Sequence, residues 1–341
     1  MIRFYQVKTL EYPHKKRAGV KKLPLAAFAL GALILGACST ASDVAQVFNR
    51  SATNDAADTV ETAAATDTIA GDRPAMWEVV DEDSNITLFG TFHLLPDDAE
   101  WSSDVLVQTM AASPTTWLEA DATSPQATQA LQAAVQELAP NPPGVTLSSL
   151  LGPERAARLA QTATSLGIPM AQLEPLRPWF VSLQLTVVGY QQAGLNPQSG
   201  ADLALLEIAK TQGDEIGYLE DGVDQLRRIA SLDNTGDFTG FDEGLEQIEN
   251  IRELSDRWFS AWINGDVQTL EDEVVTSVRS SSEYAFQVIF AERNANWFAQ
   301  VEQMMAGEGN HFIAVGVGHL IGEDSLVDML EDKGYTVRRI Q

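Results

Sequence analysis

Two apolar, β-prone runs at opposite ends of the chain close on the same spelling, and this repeat restricts the fold more than any other feature. Leu88-Phe89-Gly90-Thr91-Phe92-His93 ends in glycine, two residues and a histidine; far downstream, Phe312-Ile313-Ala314-Val315-Gly316-Val317-Gly318-His319 ends the same way. The chain has four histidines, so half of them occupy this position. In α/β sheets, chemistry collects at strand ends. The repeat predicts that both runs are strands of one sheet and that His93 and His319 meet across it. The alternative is a chance match, with each histidine a strand-end residue satisfied by hydrogen bonds.

The flanking residues extend the pattern. Residues 75–80 and 85–92 read as a hairpin around Asp81-Glu82-Asp83-Ser84. A helix over about 103–112 and a strand from Thr115 that ends on Glu119 follow. The C-terminal end offers a strand at 312–317, a helix at about 323–333 and a strand at 336–340. Between them the chain reads as mostly helical, punctuated by Gly152-Pro153, Gly167-Ile168-Pro169, Asn196-Pro197, Asp233-Asn234-Thr235-Gly236 and Asn264-Gly265-Asp266. One short strand, from Glu215, interrupts the helices and ends on Glu220. A half-sheet with an unpaired edge is a liability, so the two ends should share one sheet. The expected fold is α/β in the broad sense, more narrowly α+β: a central mixed sheet from the N- and C-terminal parts, with a large helical insertion at about 124–305.

The first 38 residues read as an address. Lys15, Lys16, Arg17, Lys21 and Lys22 precede an apolar stretch at 23–35 that is short for a bilayer span. The stretch ends Leu35-Gly36-Ala37-Cys38, which is similar to a bacterial lipobox, although Gly36 is a less usual residue there. Lipidation at Cys38 would anchor an exported protein facing the periplasm; cleavage by ordinary signal peptidase would leave it soluble there. Cys38 is the only cysteine, so neither an intramolecular disulfide nor a thiolate metal cluster is available. Residues 39–73 are rich in Ala, Thr, Asp and Ser and read as a flexible tether, which places the folded domain at 74–341.

The net charge of −26 argues against a nucleic-acid partner, because phosphate contacts need a basic face. It names no other partner, and the oligomeric state stays open. Strand ends supply His93, Glu119, Glu220 and His319, and a helix supplies Arg293. Two imidazoles with one or two carboxylates suit a divalent manganese, cobalt or zinc ion. With an open coordination position, bound water becomes acidic enough to attack a carbonyl; a second carboxylate serves as general base and arginine stabilises the oxyanion. Each residue also has a plainer role. Glu119 and Glu220 suit helix N-termini electrostatically, and Arg293 has many surface acids to pair with. His311 is expected to be exposed ahead of its strand, and His14 lies in the signal. Gly316-Val317-Gly318 lacks the Lys-Ser/Thr of a phosphate loop, and no G-x-S-x-G elbow occurs.

The two G-x-x-H runs, with Gly322-Glu323-Asp324-Ser325-Leu326 and Lys333-Gly334-Tyr335 after the second, resemble the TraB/GumN family. Leu176-Arg177-Pro178-Trp179, Gly200-Ala201-Asp202, Gly217-Tyr218-Leu219-Glu220, Trp262 with Gly265-Asp266, and Glu292-Arg293-Asn294-Ala295-Asn296-Trp297 stand in that family's order over residues 74–341. The family is similar to the Tiki metalloproteases, which use paired G-x-x-H motifs with a glutamate and an arginine. The resemblance implies a metal-dependent hydrolase acting on peptide or protein. His93, Glu119 and His319 would be metal ligands, Glu220 and Arg293 catalytic residues, and manganese or cobalt the favoured ion, with zinc possible. Where many members have threonine after the glutamate, this chain has Asp221, so a hydroxyl role there is in doubt. Related folds include haem-binding lipoproteins, so the alternative is a non-catalytic haem- or ligand-binding lipoprotein.

Overall fold

The computed structural model describes residues 73–341, so the expected signal, the lipidation site Cys38 and all but the last residue of the tether lie outside the described residues. Strands β1 (Met76–Val80) and β2 (Ser84–Thr91) form the predicted antiparallel hairpin, with Met76 opposite Phe89. The turn is set by Asp81, whose Oδ1 accepts the N–H groups of Asp83 and Ser84 at 3.2 and 2.8 Å. Then come helix α1 (Asp104–Ala111), capped by Ser103, and strand β3 (Thr115–Leu118). The helical middle contains α2 (Pro125–Leu138), α3 (Leu147–Ser165), α4 (Pro178–Gln192), α5 (Ala201–Gln212), α6 (Gly222–Ala230), α7 (Thr239–Glu249), α8 (Ile251–Ile263) and α9 (Glu292–Met305). Strand β4 (Glu215–Tyr218) lies among these helices, and β5 (Gly309–Gly316), α10 (Leu326–Lys333) and β6 (Val337–Arg339) complete the chain.

The six strands form one sheet in the order β4-β3-β5-β2-β1-β6. Strands β4, β3, β5 and β2 run parallel, with Leu118 opposite Tyr218 and Ala314, and Thr91 opposite Gly316. Strand β1 is antiparallel to both β2 and β6. The N- and C-terminal parts do share a sheet, and β5 slots between two strands from the N-terminal half. Phe312, Ile313, Ala314 and Val315 are all buried, as are Leu88, Phe89 and Gly90. Burial on both faces is why these strands read as continuous apolar runs without alternation. Because four neighbouring strands are parallel, their carboxyl ends, and the residues just beyond, fall along one edge of the sheet.

His311 differs from expectation. It lies inside β5, half-buried, with its Nδ1 3.4 Å from Trp117 Nε1. Its strand neighbour Thr115 pairs beside it, so the ring packs at the opposite end of the strand from His319, and burial lowers its pKa. Helix α10 also starts later than predicted. Asp324 adopts φ 62°, and Ser325 caps the helix by accepting the Asp328 N–H.

An aromatic group braces the first G-x-x-H run. Trp262 packs on Phe92 and Trp101 with ring centroids 5.6 and 5.7 Å apart, and Phe89 packs on Trp101 at 5.9 Å. The Trp262 Nε1–H donates to the Gly90 carbonyl at 2.8 Å in a fully buried contact. Trp262→Phe removes that donor and leaves a gap, so the unfolding free energy is expected to fall by about 2–4 kcal/mol in urea denaturation. Among the described residues, no helix is long and apolar enough to cross a membrane.

Candidate functional site

The parallel strands deliver Glu119 one residue past β3, Glu220 two past β4, His93 two past β2 and His319 three past β5. Arg293 enters from the first turn of α9. All five residues singled out in the sequence converge into one cluster, with His319 fully buried, Arg293 3% exposed and Glu220 half-buried at its margin.

Arg293 is the hub. Its Nη2 donates to Glu119 Oε2 and Glu220 Oε1, each at 2.6 Å, and its Nε spans both Glu220 oxygens at 3.0 and 3.2 Å. Its Nη1 donates to the Ile289 carbonyl at 3.1 Å and to His319 Nε2 at 2.9 Å. Every donor of the fork is thus engaged within the protein. The oxyanion role expected of Arg293 therefore requires one of these bonds to be exchanged for substrate.

The contact with Arg293 fixes the state of His319. A guanidinium only donates, so His319 Nε2 accepts and its Nδ1–H donates to Asn294 Oδ1 at 2.6 Å. Burial and the adjacent positive charge hold its pKa well below the usual histidine value, so the ring is neutral. Trp297 packs against it with centroids 4.5 Å apart.

His93 is arranged differently. Its Nδ1 is 3.0 Å from Asp202 Oδ1, while its Nε2 is buried without a hydrogen-bond partner and stands 3.9 Å from Glu119 Oε1. Burial alone would lower its pKa, but the charge and hydrogen bond of Asp202 and the charge of Glu119 outweigh it, so the pKa is raised. Glu119 Oε1 accepts the Gly316 N–H at 2.7 Å, and Oε2 also accepts from Gln225 at 3.2 Å. Burial favours the neutral acid, yet the Arg293 guanidinium, with the charge of His93 and the Gly316 N–H, holds the Glu119 carboxyl down to about 2. For Glu220, burial and the charge of Glu119 together outweigh Arg293, and its pKa is raised.

Two glycines make the arrangement possible by close approach. A Cβ on Gly200 would stand 2.4 Å from the His93 carbonyl oxygen, so only glycine lets the start of α5 lie against the histidine loop. There the Ala201 N–H donates to the Phe92 carbonyl at 2.9 Å, and Asp202, in the first turn, reaches His93. A Cβ on Gly316 would stand 3.2 Å from Glu119 Oε1, 3.3 Å from His93 Nε2 and 3.7 Å from His319 Cδ2. The missing side chain leaves a cradle between the two motif histidines.

A metal ion is tested by those donors. His93 Nε2 and Glu119 Oε1 face one another across the Gly316 cradle, and His93 is oriented from behind by a carboxylate, as metal-bound histidines usually are. These two fit a divalent cation. His319 Nε2 faces Arg293, and among the described residues no group of three or more His, Cys, Asp or Glu is placed to hold a metal.

Asp202, Asn294, Gln225 and Thr91, whose buried Oγ1 also lacks a partner, were not among the expected site residues. Asp202 and Asn294 stand inside stretches that carried the family resemblance, which was the available signal. Asp202→Asn removes the charge that raises His93, so in the metal-free protein the His93 pKa is expected to drop; NMR titration of the ring resonances reads the sign directly.

Fold and cluster together define an α/β protein with a charged site buried at the carboxyl edge of its parallel strands, built on two G-x-x-H turns. The model of the TraB/PrgY/gumN family matches residues 75–339, and the chain belongs to that family. It is 26% identical over 184 residues to the uncharacterized protein YbaP of Escherichia coli (strain K12), covering 54% of this chain and 67% of that one, and matches YbaP of Shigella flexneri equally. It is 23% identical over 163 residues to a metalloprotease TIKI homolog of Amphimedon queenslandica, covering 41% of this chain and 32% of that one. No solved structure matches the chain significantly.

Proposed function

We propose that the chain is a metal-dependent hydrolase, most simply a peptidase, working with one divalent ion. The observation that carries this reading is His93 Nε2, a buried donor with no partner, held by Asp202 and facing Glu119 across the Gly316 cradle. The distant metalloprotease TIKI homolog supports it. His93 and Glu119 would hold the ion, and His319 would add a third donor once Arg293 releases its Nε2. Manganese or cobalt is favoured and zinc is an alternative. When bound, the ion supplies a Lewis acid that polarises a carbonyl and acidifies water.

The remaining chemistry belongs to the protein. Asp202 and Asn294 each fix one imidazole from behind. Glu220, whose raised pKa favours proton exchange, takes a proton from water at Oε2, its less engaged oxygen, and returns it to the leaving amine. Arg293 keeps Glu119 ionised and adds fixed positive charge beside the reacting carbonyl. The spaces next to the two histidines hold only about 40 and 20 Å³, which favours a small ion there over a ring system. From the sequence alone we add that the protein is exported and tethered through Cys38 to a membrane facing the periplasm.

The test is elemental analysis of protein purified without chelator, followed by titration with manganese, cobalt and zinc and a peptide screen with the ion that binds. About one ion per chain with peptide cleavage is expected. No ion retained or taken up removes the reading.

A further inference from the structure

One cavity lies against the proposed ion site. It holds about 40 Å³, and both proposed ion ligands, His93 and Glu119, stand in its wall. Gly316 and His319 line the other, smaller space instead, so the cradle between the histidines is a neighbour of this cavity and not part of it. The rest of the wall follows from how the chain folds around His93. Gly200 lets the start of α5 lie against the His93 carbonyl, and Asp202 in the first turn holds the imidazole. Leu203 and Leu206 of the same helix line the cavity, and a spacing of three puts them on one helix face. Ala120 and Ala122, in the loop that follows Glu119, add only methyl groups to the wall.

Size and access narrow the occupant. An apolar cavity of about 150 Å³ takes benzene, so about 40 Å³ suits a methyl or hydroxymethyl group and no branched or aromatic side chain. Thr123 is exposed, and Ala122, Leu203 and Tyr218 are half-buried, so the cavity reaches the surface on that side. A peptide entering there sets a side chain against Leu203 while its backbone comes beside His93 and Glu119. The walls have little freedom to retreat, because the Ala201 N–H ties the start of α5 to the Phe92 carbonyl at 2.9 Å. A larger side chain would have to break that contact to enter.

We propose that this cavity receives the side chain next to the cleaved bond, and that the substrates are peptides with a small residue, alanine, serine or glycine, at that position. The inference rests on the hydrolase reading and gives it a specificity. The test is cleavage-site profiling by mass spectrometry, in which full-length protein loaded with the ion that binds digests a peptide library of random sequence. One position flanking the cleaved bond is expected to favour alanine, serine and glycine over leucine and phenylalanine by about tenfold or more, since one surplus methylene already costs a closed pocket that much. Leu203→Ala enlarges the cavity and is expected to extend the preference there to valine and leucine. Ala122→Val fills it and is expected to narrow the preference to glycine. Calorimetric titration of both variants is expected to give the wild-type ion affinity, which separates a reshaped pocket from a damaged site. Cleavage with no small-residue preference, or a preference that neither variant moves, overturns the proposal and leaves the hydrolase reading standing. Ion binding without cleavage of any peptide removes the hydrolase reading and this proposal with it.

Discussion

Replacing Arg293 with alanine is expected to destabilise the metal-free protein by about 3–5 kcal/mol at neutral pH, as breaking a buried ion pair from one side usually does. The substitution leaves Glu119 and Glu220 buried together without their shared cation, and it strips the donor from His319 Nε2. Arg293→Lys restores the charge but not the fork, so it is expected to recover only part of the loss. The pH dependence separates this from a packing defect. The folded pKa of Glu119 lies below its ordinary value of 4.5, at about 2. Its contribution is therefore fully present above about pH 4.5 and is lost as pH falls toward 2, and a shift of this size is worth about 3 kcal/mol. Without Arg293 the carboxyl is buried uncompensated and prefers its proton, so acid relieves the variant. Urea unfolding should show the gap between wild type and Arg293→Ala narrowing between pH 7 and pH 3. A gap independent of pH would assign the loss to packing against Trp297, over whose ring the guanidinium lies at 4.6 Å.

His93→Ala is expected to weaken binding of a divalent ion by about a hundredfold or more while the domain stays folded, since a first ligand matters at least as much as its supporting partner. The side chain makes one hydrogen bond, to Asp202, so little of the fold rests on it. Calorimetric titration with manganese or cobalt measures the affinity, and far-ultraviolet circular dichroism checks the fold. His319→Ala tests the third donor. An equal loss means that Arg293 yields the imidazole to the ion. Unchanged affinity means that His319 serves only to position Arg293, leaving His93 and Glu119 as the protein donors.

Much of the fold was legible because its signals are local. The hairpin around Asp81, the apolar runs of β2 and β5 and the capped helices follow from backbone preferences and burial within a few residues. His311 was misjudged because its exposure depends on Trp117, a neighbour from another strand. The start of α10 was misplaced because one residue at positive φ delays the cap.

The sequence by itself singled out two histidines and two carboxylates closing strand-like runs, and an arginine in a helix. The tertiary structure decided how they face one another. Parallel pairing of β2, β5, β3 and β4 brings their ends to one edge, and only there does Arg293 take both carboxylates and the His319 lone pair. Asp202, distant in sequence, becomes the partner of His93 because Gly200 lets α5 lie against the strand end. Residue type and local period are written along the chain. Which lone pair stays free depends on register and close approach, and these exist only once the sheet has formed.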